Sequence, residues 1–199
     1  DAMKKEVIVA SSGKGSPTFL IPTLLNALIG TKFKIVTGYK GSRKMQHSME
    51  QDETRGVALG WTAWISAKPE WFKGGNKSFA IPLVQSGFKR QKGIEHVRMI
   101  REVLANDEDV QIAEMLASAS MLGRGLVLPP KAPKKLVSPL RAAFAAITKD
   151  KAFIKDAYKR GLEVDPIGGA DIQKKVNKIL AMSQKTVLKA RRLIFPNTK

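Results

Sequence analysis

Ser11-Ser12-Gly13-Lys14-Gly15-Ser16 follows directly on the apolar run Val7 to Ala10, and Pro17-Thr18 comes next. A strand that ends in a glycine-rich turn at a helix start gathers unpaired backbone N–H groups at the positive end of a helix dipole, which suits an anion. The residue types supply such a cradle: backbone N–H groups of Gly13 to Thr18, and hydroxyls of Ser12, Ser16 and Thr18. A nucleotide phosphate is a poor fit. The phosphate loop of nucleotide hydrolases needs a glycine, four residues, then Gly-Lys-Ser/Thr. Gly13-Lys14-Gly15-Ser16 lacks the upstream glycine and sets a second glycine after the lysine. A nest of N–H groups holds a carboxylate by the same physics. From this stretch alone, a plain strand–helix turn capped by serine is the alternative.

Other chemistry is sparse. The two histidines, His47 and His96, lie far apart in polar helical patterns with no metal-ligand spacing around them, so they read as solvent-exposed. No Gly-x-Ser-x-Gly nucleophile elbow occurs. Asp107-Glu108-Asp109 stands where a helix begins and reads as compensation of its dipole. There is no cysteine, which excludes disulfides and thiolate chemistry and leaves the redox compartment open. The expectation is a binding protein and not an enzyme, with no cofactor and no metal. Trp64 reads as a core anchor, and Trp61, directly after a glycine, as core or as the wall of a ligand cleft.

The elements that must position these residues alternate. Short apolar strands are expected at Glu6 to Ala10, Lys32 to Thr37 and Gly56 to Gly60, with helices at Pro22 to Ile29 and from Arg43 to about Glu53. Pro22 suits a first helical turn, Gly30 a helix C-terminus, and Ser42 a helix cap. Ser78 to Gln85 reads as a fourth strand, which Pro82 restricts to an edge, a bend or a crossing. Ile94 to Leu104 and Asp107 to Met121 read as helices, and Gly125 to Leu128 as a strand stopped by Pro129-Pro130. Helices follow at Lys134 to Thr148, Lys151 to Tyr158, Ala170 to Ala181 and Lys185 to Leu193, with a short strand at Leu162 to Val164. Strands alternating with helices predict an α/β fold with a largely parallel sheet. Its ligand belongs at the carboxyl ends of the strands, where the turns gather.

The chain has 199 residues and carries 35 basic against 17 acidic residues, a net charge of +18. That charge raises nucleic acid as a partner, and a basic nucleic-acid-binding module is the competing reading. The lysines are spread along the chain at helix-surface spacing, however, and no aromatic RNA-binding signature, zinc-finger spacing or basic region with heptads is present. No specific nucleic acid is therefore expected. No apolar run reaches the length of a membrane span. The opening Asp1 to Lys5 does not read as a secretory signal, and a processed chain would look the same.

Two long stretches carry a family resemblance. One is Gly13-x-Gly15-Ser16-x-Thr18 with Pro22-x-Leu24-Leu25-Asn26-Ala27-Leu28-x-Gly30-Thr31-Lys32-Phe33-Lys34-Ile35-Val36-Thr37-Gly38-Tyr39-x-Gly41. The other comprises Gly123-Arg124-x-Leu126-Val127-x-Pro129-Pro130-x-x-Pro133 and Leu162-Glu163-Val164-Asp165-Pro166-Ile167-Gly168-Gly169. Together they resemble the extracytoplasmic solute receptors of tripartite tricarboxylate transporters, the TctC or Bug-type periplasmic binding proteins. The resemblance implies the type II periplasmic-binding-protein fold, with one full lobe plus the C-terminal part of the other. Residues 1–118 would form the second α/β lobe, with the return crossover near 78–118, and 119–199 the mostly helical C-terminal part of the first.

It further implies a small carboxylic acid held in an interlobe cleft, membrane transporter subunits as partners, and a periplasmic location. The ligand-binding residues would be Ser12, Gly13, Gly15, Ser16, Thr18, Tyr39, Gly41, Ser42, Trp61 and Thr62. The family's chains are longer, with the additional part ahead of the position of Asp1. Lys14 and Lys40 stand where neutral residues or proline are frequent in the family. Phe88 to Ile94 replaces its usual Leu-Pro-Asp-Val-Pro stretch.

Overall fold

The computed structural model describes residues 2–87, 89–122, 125–162 and 164–195. The chain forms two compact units, one of Asp1–Met121 with Ser183–Lys199, the other of Leu122–Met182. It is a mixed α/β protein with a small parallel sheet.

In the first unit, β1 (Val7–Ser11), β2 (Phe33–Thr37) and β3 (Gly56–Val57) form one sheet in the order β2-β1-β3. Both pairings are parallel, with Val7 opposite Phe33, Ser11 opposite Thr37 and Ala10 opposite Val57. The three expected strands are thus neighbours, as short strand–turn–helix connections require. β1 is central, and its Val9, Ala10 and Ser11 are buried.

Between the strands run α1 (Pro17–Ile29) and α2 (Ser42–Glu50), and after β3 comes α3 (Trp61–Ile65). α1 begins at Pro17, earlier than expected, and keeps Pro22 inside it. Pro17 occupies the helix start, where a missing N–H is free. The apolar face of Ile21, Leu24 and Leu25, all buried, favours the longer helix despite the bond that Pro22 cannot make. Gly30 ends the helix at φ +70°, as expected. Ser42 lies just inside α2, after Gly41, and makes no side-chain cap.

Two further expectations differ. Ser78 to Gln85 is not a strand: its ladder contact is a single parallel bridge between Gln85 and Met99. Pro82 lacks a donor, and among the described residues no strand pairs with the segment. Ile94 to Leu104 is not a helix either, apart from one 3-10 turn at Ile100–Glu102. Its buried residues Ile94, Val97, Met99 and Ile100 do not keep a helical period. The carbonyls of Ile94 and Val97, which a helix would use internally, accept from the buried Gln85 amide at 2.9 and 2.8 Å.

α4 (Asp107–Leu122) and the C-terminal α8 (Gln184–Ile194) complete the unit. Ile21, Leu24 and Leu25 of α1 pack with Ile100, with Ile112 and Ala113 of α4, and with Ala190 of α8. α8 therefore belongs with α1 rather than with the helices that precede it. A second cluster joins Trp64, Trp71 and Ala80.

The second unit contains α5 (Lys134–Ile147), α6 (Lys151–Lys159) and α7 (Gly169–Leu180). Asp150 caps α6, accepting from the Phe153 N–H at 2.7 Å. Leu126 and Val127 are each 89% exposed, and 125–128 is not a strand: among the described residues no strand pairs with it. The strand expected at Leu162 to Val164 includes position 163, outside the described residues. Among the described residues of this unit, Ala157 alone is buried.

Candidate functional site

The parallel order β2-β1-β3 sends the turns 12–16, 38–41 and 58–60 off the same edge of the sheet. The first leaves the central strand. It is held by a hydroxyl network whose donor count can be closed. Ser16 Oγ donates to the Gly13 carbonyl at 2.7 Å, which uses its one proton. Thr18 Oγ1, 2.6 Å from Ser16 Oγ, must then be the donor of that pair. With its own proton spent, Thr18 Oγ1 accepts from Ser11 Oγ at 3.0 Å and from the Ser12 N–H at 3.1 Å. Ser11 Oγ in turn accepts from the Gly13 N–H at 3.2 Å. Ser11 and Thr18 are both buried.

This network directs the hydroxyls of Ser16 and Thr18 inward, into the turn. Ser16 precedes α1 without capping it through its side chain. The carbonyl of Ser16 accepts from both Phe19 and Leu20 at 2.9 Å. Among the described residues, the N–H groups of Lys14, Gly15 and Thr18 have no hydrogen-bond partner. Ser12, Lys14 and Gly15 are exposed, and a Cβ built on Gly13 or Gly15 would meet nothing within 4 Å. The turn is thus open at Lys14 and Gly15, with their two unused backbone donors beside the exposed Ser12, while the unpaired N–H of Thr18 belongs to a buried residue.

The second turn is tied to the first: the Tyr39 N–H donates to the Ser11 carbonyl at 3.2 Å. Gly38 and Gly41 take φ +111° and +85°, a region where side chains are strained, so this turn requires glycine at both places. Lys14 and Lys40 are exposed on the two turns, and no acidic residue lies in 11–18 or 38–42. The electrostatic bias of this edge is therefore positive.

The third turn leads to Trp61 and Thr62 at the start of α3, which is joined to α2 by the buried Gln46 amide donating to the Ala63 carbonyl at 3.1 Å. Trp61 packs edge-on against Phe72 with centroids 4.9 Å apart, and a Cβ on Gly93 would lie 3.8 Å from its ring. Trp64 is buried against Trp71 and Phe72, as expected for a core anchor. The network thus joins Ser12, Gly13, Ser16 and Thr18 directly, with Tyr39 attached through its backbone. Gly41 and Ser42 follow in the second turn, and Trp61 and Thr62 stand on a separate helix. Ser11 and Gln46 were missed by sequence reasoning. The signal for Ser11 was a hydroxyl ending an otherwise apolar strand.

Among the described residues, no group of histidines and carboxylates could hold a metal ion. No family model, curated protein or solved structure matches this chain.

Proposed function

We propose that this chain is a solute receptor, or part of one, that captures the carboxylate of a small organic acid at the β1–α1 turn. The observation that carries the reading is the set of unpaired N–H groups of Lys14, Gly15 and Thr18 beside the Ser12 hydroxyl, at the carboxyl edge of a parallel sheet. Lys14 and Gly15 are exposed, so their donors meet an anion from solvent directly. The Tyr39 to Ser42 turn and Thr62 close around it, and Lys14 and Lys40 attract it over longer range. In this reading the fold is of the type II periplasmic-binding-protein kind. The protein acts outside the cytoplasm, and it passes its acid to the membrane subunits of a tripartite tricarboxylate-type transporter. The support for these last steps is the resemblance of the two long stretches quoted above.

The test is thermal denaturation against a panel of mono-, di- and tricarboxylates. An acid present at about 100 times its dissociation constant adds about 2.7 kcal/mol to stability. A panel that leaves the melting temperature unmoved, with direct calorimetric titration equally flat, would sink the proposal. A basic module for nucleic acid is the second reading. It is favoured by Lys151, Lys155 and Lys159, which recur four residues apart along α6 and are all exposed.

A further inference from the structure

The stretch 71–94 combines exposed apolar side chains with a border of cations. Phe79, Ile81 and Leu83 are 57%, 58% and 67% exposed, while Ala80 is buried and Val84 packs against the core of α1, α4 and α8. Single exposed apolar residues are ordinary, but three within five residues form a patch. At no more than ~3.6 Å per residue, their Cα atoms lie within about 14 Å of one another. The patch is held from beneath. The Phe79 ring lies 4.3 Å from that of Trp71, centroid to centroid, and the Trp71 carbonyl accepts from the Ala80 N–H at 3.1 Å. Beyond Leu83, the Gln85 backbone bonds to Arg98 and Ile100, and its side-chain amide donates to the carbonyls of Ile94 and Val97. The fold itself therefore keeps these three side chains in the open.

Cations flank the patch at both ends. Residues 71–94 contain five basic residues, Lys73, Lys77, Lys89, Arg90 and Lys92, and no acidic one. Arg90 is spent on Glu102, with bonds of 2.7 and 2.9 Å. Lys73, Lys77 and Lys92 are exposed. The Lys77 N–H donates to the Gly74 carbonyl and the Ser78 N–H to that of Gly75, both at 3.1 Å, a tight turn that keeps Lys73 and Lys77 beside Phe79. The Gln85 side chain accepts from the Gln91 N–H at 2.8 Å, which brings Lys92 to the Leu83 end.

We infer that this surface docks on an anionic bilayer. The side chains of Phe79, Ile81 and Leu83 enter the headgroup layer, and Lys73, Lys77 and Lys92 meet lipid phosphates around them. Charge complementarity selects this occupant, because an acid-free stretch in a chain of net charge +18 is drawn to a negative surface. A weak apolar insertion alone gives only marginal membrane binding, and stable anchoring adds a second signal such as a basic patch. Both signals coincide here. A nucleic acid would satisfy the lysines but offers Ile81 and Leu83 no apolar medium. A protein partner needs about 800 Å² of matching surface on each side, more than three side chains supply, whereas acyl chains need no matching shape. The contact is peripheral, and it does not depend on the acid-binding reading.

The absence of cysteine lets a single probe report insertion. Leu83→Cys and the exposed control Gln51→Cys are each labelled with a solvent-sensitive fluorophore. They are mixed with vesicles of phosphatidylcholine alone or of equimolar phosphatidylcholine and phosphatidylglycerol. The label at 83 should brighten and shift to the blue on the anionic vesicles only, and the label at 51 on neither. In vesicle co-sedimentation, Lys73→Gln and Lys77→Gln should each lower partition about fivefold, as loss of one cation at an anionic surface does. Ile81→Ser keeps the charge and should lower partition about tenfold. Its melting curve should be unchanged, since Ile81 is exposed. Equal responses at 83 and 51, or undiminished partition of Ile81→Ser, would leave attraction by net charge alone and overturn the inference. So would a single-stranded oligonucleotide that shifts the label at 83 as the vesicles do.

Discussion

Thr18 holds the cradle together more than it lines it, because its hydroxyl is the one atom to which Ser11, Ser12 and Ser16 all connect. Thr18→Val keeps the shape and removes those bonds, leaving the Ser12 N–H without its acceptor. A loss of about 1–3 kcal/mol is expected from an unsatisfied donor, measurable by urea denaturation, together with loss of acid binding. Gly15→Val separates binding from folding. A side chain there meets open space, so the melting temperature should hold while affinity for the best acid falls about tenfold or more, the equivalent of losing one charge-assisted bond. Unchanged affinity in titration calorimetry would show the turn to be a structural cap only. Lys14→Ala should mainly slow association, most visibly at low salt. Glycine, serine and threonine at this spacing made the cradle legible in the sequence. The direction of each hydroxyl was not, since it depends on which proton is already spent, and that is a matter of distances.

At the scale of elements, α8 shows how a solvated-looking helix can be held in place. Its Lys189 bridges Glu108 at 2.7 Å and the buried Asp109 at 2.8 Å, at the start of α4. The hydrogen bond from Lys189 holds Glu108 below the ordinary carboxylate range, and Asp109 and Glu108 together raise Lys189 above its usual value. A lowered carboxyl stabilises the folded state above its ordinary range and loses that effect as pH falls through and below it. A raised lysine stabilises below its ordinary value and loses the effect only as pH rises beyond it. The latch is therefore complete at neutral pH and fails first in acid. Hydrogen exchange of the α8 amides, corrected for intrinsic rates, should quicken as pH falls below the carboxylate range. Lys189→Met should show that faster exchange already at neutral pH. Beneath the helix, Leu24→Ala should cost about 2–5 kcal/mol by chemical denaturation, since Leu24 is fully buried. Periodicity revealed the existence of α8 to within a residue at either end, but not its berth, because Lys189 and its partners are far apart in the chain. Ser78 to Gln85 misled for a related reason: its composition is that of a strand, and a strand also needs a neighbour.

For the whole molecule, charge and core decide the expected behaviour. A net charge of +18 without a base-reading element predicts that any nucleic-acid binding is non-specific and decays steeply with salt, which filter binding across a salt series would check. Sequence-selective binding that survives moderate salt would promote the second reading. Among the described residues of the unit Leu122–Met182, Ala157 alone is buried, and Leu136, Leu140 and Ile147 of α5 stay exposed. Expressed alone it should give no cooperative transition by calorimetry, because so little apolar area cannot offset the ordering of its backbone. Adjacent parallel strands could be read from the short connections, whereas the order β2-β1-β3 depends on which way each connection crosses and leaves no local trace. The return of the chain to the first unit at Ser183 was equally invisible, and it bears on proteolysis. A protease that cuts at the exposed Leu126 or Val127 severs no element, yet it turns one polypeptide into two. The larger piece then keeps its hold on α8 without a covalent link. Such a nicked protein would survive at high concentration and come apart on dilution, and a separately made C-terminal peptide could restore what dilution removed.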